Sequence, residues 1–239
     1  MKRIAVIVPA HNEAELLPRC LVAMSRAAAR VAPVPVEVVV VADACTDGTA
    51  ALAAAAGASV VVVHARNVGR ARAAGAEHAL RAGPDGLWLA TTDADSRVGP
   101  DWLRRQVRHA RAGAGLVVGT VAVDDWAVWP AGLPARYESL YRSAVSGTSH
   151  GHVHGANLGF SAEAYRAAGG FPAVTHDEDR ELVRRAAEAG VTIVRDPRHP
   201  VRTSARQTGR APLGFAAYLT ALSTEKILAD RVALDPAEC

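Results

Sequence analysis

The chain has 239 residues, 50% hydrophobic and 21% charged, which suffices for one substantial core, and no apolar run is long enough for a membrane span. Its net charge is only +3, and its arginines alternate with Glu and Asp along apparent helix faces, which argues against nucleic acid as a partner. Cys20, Cys45 and Cys239 show no C-x-x-C pair and no zinc spacing, so neither a disulfide framework nor a structural metal is indicated, and a reducing cytoplasm fits best.

At the N-terminus, MKRIAVIVPAHNE holds an apolar run of strand length only, broken by Pro9 and too short for a secretion signal. Over residues 1–125 such runs alternate with Ala-rich stretches, which predicts β-α-β units on a largely parallel sheet. The predicted strands are Ile4–Val8, Val36–Val41, Val60–His64, Gly86–Ala90 and Leu116–Val121, nearly continuous in Val, Ile and Leu as strands covered on both faces should be. Helices are predicted over Glu13–Arg30, Thr49–Ala56, Gly69–Arg81 and Pro100–Ala112, with Thr46 or Asp47 as cap of the second and Pro100 opening the fourth.

After Trp126 a Trp/Pro-rich connection leads to a helical stretch, Leu133–Ser146, and then to SGTSHGHVHGAN, which is too polar and Gly-rich for core. Helices over Ala162–Ala168 and Asp177–Ala189, a short strand Val191–Val194 and a basic tail complete the pattern. No repeat or low-complexity linker divides the chain, so residues 1–239 read as one domain. Ligands of open parallel sheets sit beyond the carboxyl ends of the strands, and the polar motifs lie there.

Pro9-Ala10-His11-Asn12-Glu13 follows the first strand and Asp43-Ala44-Cys45-Thr46-Asp47-Gly48-Thr49 the second. Carboxylates at these ends can accept hydrogen bonds from a base or a ribose. Glu13 and Asp47 equally stand where helix caps and dipole partners are favoured, and capping is the commoner use. The fourth strand runs into Thr91-Thr92-Asp93-Ala94-Asp95-Ser96. Two carboxylates around one small residue repel each other unless a cation offsets them. A hard divalent ion, Mg²⁺ or Mn²⁺, bridging carboxylate and diphosphate oxygens would do so.

The segments VIVPAHNE, VVVADACTDGT, RNVGRARAAG, TTDADS and HDEDRELVRRAAEAG occur in the order and approximate spacing of the family 2 glycosyltransferases. The chain resembles that family up to about residue 210. The resemblance implies an α/β GT-A fold, a Rossmann-like, mostly parallel sheet with helices on both faces. It also implies a nucleotide-diphosphate-sugar donor and inversion at the anomeric carbon. Residues 1–125 would then form the nucleotide-sugar-binding half, 126–211 the acceptor and catalytic half, and 212–239 a helical tail.

Carried over by position, Pro9, Ala10 and Glu13 match the segment lining the nucleoside, and Asp43 the acid that hydrogen-bonds the base. Asn67, Gly69 and Arg72 match a third donor-side segment. Asp93 and Asp95 match the D-x-D, the first near ribose and metal and the second a direct metal ligand. Asp179 matches the general base, with Glu178 beside it to raise its pKa or orient the acceptor. Thr203-Ser204-Ala205-Arg206 resembles an element whose Arg lies near the diphosphate, and Arg70, Arg72, Arg206 and Arg210 are phosphate candidates.

Where some relatives offer a tail His as a further metal ligand, this chain has Thr203-Ser204, and His199 is the nearest candidate. His150, His152 and His154 alternate, which suits either a metal or a merely polar loop, while His154, Gly155 and Asn157 read as acceptor-side lining. UDP- and GDP-hexoses both remain open as donors, and the acceptor is not encoded in any motif. The stretch APLGFAAYLTALSTEKIL suits an amphipathic helix, with packing on the domain favoured over dimerisation or contact with a membrane surface. A sugar-phosphate nucleotidyltransferase would want a Gly-rich signature after the first strand, and PAHNE supplies none. A silent sugar-nucleotide-binding protein would have no need of Asp93, Asp95 and Asp179 together.

Overall fold

The Val/Ile/Leu runs have no polar face, so they have to be buried on both sides. In the computed structural model, which describes residues 1–210 and 214–224, they form β1 (Arg3–Ala10), β2 (Val36–Asp43), β3 (Ser59–Val63), β4 (Leu87–Thr91) and β5 (Leu116–Val123). Four helices alternate with them: α1 (Leu17–Ala29), α2 (Thr49–Ala55), α3 (Val68–Arg81) and α4 (Trp102–Arg111). Side chains of successive strand residues go to opposite layers. Ile4, Val6 and Val8 pack with Leu17, Met24, Trp102 and Leu103, whereas Ala5 and Ile7 pack with the small residues Ala71, Ala76 and Ala79 of α3.

The second half is where sequence and structure part. The helix read over Leu133–Ser146 is α5 (Leu133–Ser143), and its last residues turn into a small hairpin, β6 (Val145–Ser146) with β7 (Ser149–His150). The SGTSHGHVHGAN segment, expected outside the core, runs into a buried 3-10 turn, Gly155–Asn157, and His150 is also buried. The turn leads straight into an unpredicted strand, β8 (Leu158–Ser161), which inserts antiparallel between β4 and β5. Four residues, LGFS, are too short for alternation to show in the sequence.

After α6 (Ala162–Ala167) and α7 (Glu178–Glu188), the "basic tail" is mostly β9 (Ile193–Thr203), far longer than the strand expected over Val191–Val194. It tolerates Pro197 and Pro200 because it is the sheet edge, and its register against β5 shifts between Gly119 and Val121. The full order is β3-β2-β1-β4-β8-β5-β9, parallel except for β8. Within the expected helical tail, α8 (Phe215–Ser223) packs Leu219 and Leu222 against Trp129, Leu133 and Tyr137, and residues 211–213 and 225–239 lie outside the described residues. Cys239 lies outside the described residues, and Cys20 and Cys45 are free thiols. Among the described residues no helix is long and apolar enough to cross a membrane.

Candidate active site

The loops after β1 and β2 are laced together. Asn12 Oδ1 accepts the Thr46 N–H (2.8 Å), Thr49 Oγ1 accepts the Glu13 N–H (2.8 Å), and the Cys45 thiol donates to the Ala10 carbonyl, next to Pro9 (3.3 Å). The N-cap of α2 is Gly48, and Asp47, one residue before it, accepts the Thr49 N–H at its Oδ1 (3.0 Å). Glu13 is not a cap, because α1 begins only at Leu17 and the Glu13 carboxylate is turned away toward Arg206.

Asp43, expected on the base, is 4% exposed and already engaged. Its Oδ1 accepts the N–H groups of Ala65 (2.7 Å) and Arg66 (2.8 Å), and its Oδ2 that of Asn67 (2.9 Å). Its first task is therefore to hold the loop before α3, in which Arg66 takes a left-handed conformation (φ 47°). Asn67 is likewise structural: it caps α3 by accepting the Arg70 N–H (2.8 Å) and donates to the Val174 carbonyl (2.7 Å). Gly69 serves packing, since a Cβ there would strike the Pro172 carbonyl oxygen and crowd Glu178.

From the next turn of α3, Arg72 joins the two halves of the site. Its guanidinium is 4% exposed, donates to Asp93 Oδ1 (2.7 Å), pairs with Glu178 Oε1 and lies over the Phe171 ring at 5.9 Å. Glu178 was expected to orient the acceptor or tune the neighbouring base. Its side chain is instead buried (6% exposed) against Arg72, so it positions the site from below. Burial raises its carboxyl above the usual range, Arg72 opposes this, and Asp179 adds to it.

Asp179 is half-buried at the start of α7, where its Oδ2 accepts the Gly155 N–H (2.6 Å) and its Oδ1 the Arg180 N–H (2.8 Å). Gly155 is in turn latched to the end of β4 by the Thr91 hydroxyl, which donates to its carbonyl (2.6 Å). Only glycine fits here, because a Cβ at 155 would collide with the Arg72 guanidinium. Its neighbour His154 shares a hydrogen bond with the Tyr141 hydroxyl (3.0 Å), and burial lowers its pKa to about 3, leaving it a neutral imidazole. Asn157 does not line the site: it is buried, accepts from Trp102 Nε1 (2.8 Å) and donates to the Thr120 carbonyl (2.8 Å).

Beyond β4, Asp95 is flanked by Asp93 and by Arg206, whose Nη2 lies 3.0 Å from Asp95 Oδ2 and 2.7 Å from Glu13 Oε1. Thr203 Oγ1 is 3.5 Å from Asp95 Oδ1 and occupies the place sought for a third metal ligand. His199 is not brought there. It lies four residues earlier along β9, exposed and left-handed (φ 64°) in the bulge at the register shift, beside Trp102 and Asp196. The rings of His150, His152 and His154 stack at 5.9 and 5.8 Å, and His150 and His152 share hydrogen bonds with the carbonyls of Val118 (3.1 Å) and Tyr141 (2.7 Å). A cleft of about 150 Å³ flanks Asp95, lined also by Arg19, Arg97 and Asp124, which no motif indicated.

Burial first, then the charge of Asp93, push the Asp95 carboxyl up to about 6, with Arg206 pulling the other way. Ionising Asp95 is thus harder in the fold than in the unfolded chain. By linkage this stability is present below pH ~4 and is lost as pH rises through the folded value near 6. In EDTA, Asp95→Asn is expected to be more stable than the parent above pH ~6, by about 3 kcal/mol, and equal to it below pH ~4. Denaturant unfolding across that range checks this; a variant less stable than the parent near neutrality contradicts it.

Among solved structures, the chain is similar to S. aureus TarS 1–349 in complex with UDP-GlcNAc: TM-score 0.63, 14% identity, covering 92% of this chain and 65% of that one. It is also similar to the mannosyltransferase PcManGT from Pyrobaculum calidifontis in complex with GDP-Man and Mn²⁺ (TM-score 0.63, 23% identity, 87% and 58%). A third is glucosyl-3-phosphoglycerate synthase from Mycobacterium tuberculosis with Mn²⁺, UDP and glucosyl-3-phosphoglycerate (TM-score 0.57, 19% identity, 93% and 76%). The chain spans 65% of the TarS chain's length and 58% of PcManGT's, and at these identities the likeness is one of fold: the GT-A sheet with helices on both faces. No curated protein matches the sequence. The family model for Glycosyl transferase family 2 matches residues 5–169, well over half of the 239, and the chain belongs to that family.

Proposed function

We propose that this chain transfers a hexose from a UDP- or GDP-hexose to an acceptor hydroxyl with inversion, with Asp179 as general base and a divalent ion at Asp95 and Asp93. The observation that carries the reading is the pairing of two carboxylate groups around one arginine. Asp93 and Asp95 end β4 on the donor side, Asp179 and Glu178 open α7 on the other, and Arg72 binds Asp93 and Glu178 at once. A displacement needs that layout, with charge neutralisation at the departing diphosphate and a proton acceptor across the cleft.

The residues fit a divalent ion. Asp95 is a buried carboxylate beside a second one, offset by the Arg206 guanidinium and by the hydroxyls of Ser96 and Thr203. Asp93 and Asp95 would offer carboxylate oxygens, with the Thr203 hydroxyl nearby, which suits Mg²⁺ or Mn²⁺, since these draw their other ligands from phosphate and water. When bound, the ion would neutralise charge developing on the leaving diphosphate. The complexes of the similar structures with UDP-GlcNAc, GDP-Man and Mn²⁺ support this donor class and this ion.

In the chain itself, Arg206 and Arg210 are placed to meet diphosphate oxygens, and the loops after β1 and β2 to flank the nucleoside. Asp179 takes the proton of the attacking hydroxyl, while its hydrogen bond from Gly155 sets its orientation. Residues 1–239 read as one catalytic domain, and a cytoplasmic setting is part of the same reading.

A panel of UDP- and GDP-hexoses, scored for hydrolysis and thermal stabilisation with Mn²⁺, Mg²⁺ or EDTA, tests the reading. Hydrolysis of one donor is expected with metal and loss of it in EDTA. Equal donor affinity in EDTA and Mn²⁺ would remove the metal from the mechanism, and no response to any nucleotide would remove the donor class.

A further inference from the structure

The side chain of Arg206 stands where a cation is wanted. One edge of its guanidinium makes a forked pair with Glu13, Nη1 to Oε2 at 2.9 Å and Nη2 to Oε1 at 2.7 Å, and the same Nη2 reaches Asp95 Oδ2 at 3.0 Å. Both carboxylates are well buried, with side chains 5% and 13% exposed. The neighbouring Asp93 is held separately by Arg72, so Arg206 is the counter-charge of Asp95. The segment that carries it is tied down on either side: Trp129 Nε1 donates to the Ala205 carbonyl, and the Gln207 side-chain amide donates to the Val128 carbonyl (2.6 Å).

We propose that Arg206 is an internal counter-cation that holds the position of the divalent ion at Asp95 and yields it only to a nucleoside diphosphate, making metal and donor bind as a coupled pair. The inference rests on the metal-dependent reading above. A guanidinium hydrogen-bonded to Asp95 and a dication on the same carboxylate repel each other strongly at contact distance. Metal alone must therefore displace Arg206 from Asp95 and leave it only its pair with Glu13. A diphosphate supplies planar, forked oxygen acceptors that a guanidinium binds two at a time. Once Arg206 turns to it, Asp95 is released to the metal. By reciprocity the metal must then raise nucleotide affinity by the same factor. Glu13 has a part in this, because its fork keeps the guanidinium near the cleft during the exchange.

The test is Mn²⁺ binding, followed by electron paramagnetic resonance of the free ion, to the parent, Arg206→Gln, Arg206→Lys and Asp95→Asn proteins, each alone and with saturating UDP or GDP. All four are first checked for a cooperative thermal transition. The parent is expected to bind Mn²⁺ poorly alone and at least about tenfold better with nucleotide, within the usual span of coupling between sites. Arg206→Gln is expected to bind Mn²⁺ alone about tenfold more tightly than the parent and to lose most of the gain from nucleotide. Arg206→Lys, which keeps the charge, should bind Mn²⁺ alone as poorly as the parent, which excludes mere loosening of the loop. If Arg206→Gln leaves nucleotide-free Mn²⁺ affinity unchanged or weaker while Asp95→Asn abolishes binding, the counter-cation role is overturned and the metal site stands. If the parent binds no Mn²⁺ even with nucleotide, both fall together.

Discussion

Asp179→Asn is expected to lower sugar transfer by about a hundredfold or more, the usual range for a general base, with donor affinity nearly unchanged. The carboxylate is half-buried and fixed by N–H groups from Gly155 and Arg180, so its direction is set before the acceptor arrives. Asparagine keeps the shape but cannot take the proton. Its amide can accept one of the two N–H groups and must face the other with its own NH₂, a local cost of about 1 kcal/mol, far too small to account for the loss of rate. Transfer, donor affinity and melting temperature have to be read on one preparation. Transfer near the parental rate would take the catalytic role away from this residue. Glu178→Gln is the comparison: because Glu178 is buried on Arg72 and cannot reach a hydroxyl in the cleft, its main effect is expected on stability.

Arg72→Met is expected to cost about 3–5 kcal/mol of stability, the range for removing one partner of a buried ion pair, which lowers the melting temperature by on the order of 10 °C. The guanidinium is 4% exposed and neutralises Glu178 and Asp93 together, so its loss leaves a buried carboxylate uncompensated and another beside the D-x-D unrestrained. Adding Glu178→Gln should restore part of the loss, because the stranded charge is then gone. Arg72→Lys should keep the fold but not both contacts, since a single ammonium does not span two carboxylates as a planar fork does. A melting temperature for Arg72→Met within about 2 °C of the parent would show that the bridge contributes little.

The first half of the molecule was legible in the sequence because its information is local. Uninterrupted Val/Ile/Leu runs can only be strands covered on both faces, and β1 to β5 form where those runs lie. The D-x-D and the Glu178-Asp179 pair stood out in the sequence as candidates, since like charges at a strand end or a helix start need a reason. The sequence could not show where each side chain turns. Asp43 and Asn67 look like ligands by position, yet backbone N–H groups of the neighbouring loop take up their oxygens. Glu178 and Asp179 are adjacent, yet a helix turns successive residues about 100° apart, so one is buried on Arg72 and the other is half-buried and accepts the Gly155 N–H. β8 was invisible because four residues carry no period, and β9 because Pro197 and Pro200 read as loop until the strand is known to be an edge. The partnerships of Arg72 with Glu178 and of Arg206 with Glu13 span 106 and 193 residues. No spacing rule reaches that far; only the closing of the sheet brings those charges within contact, and burial then makes each of them matter.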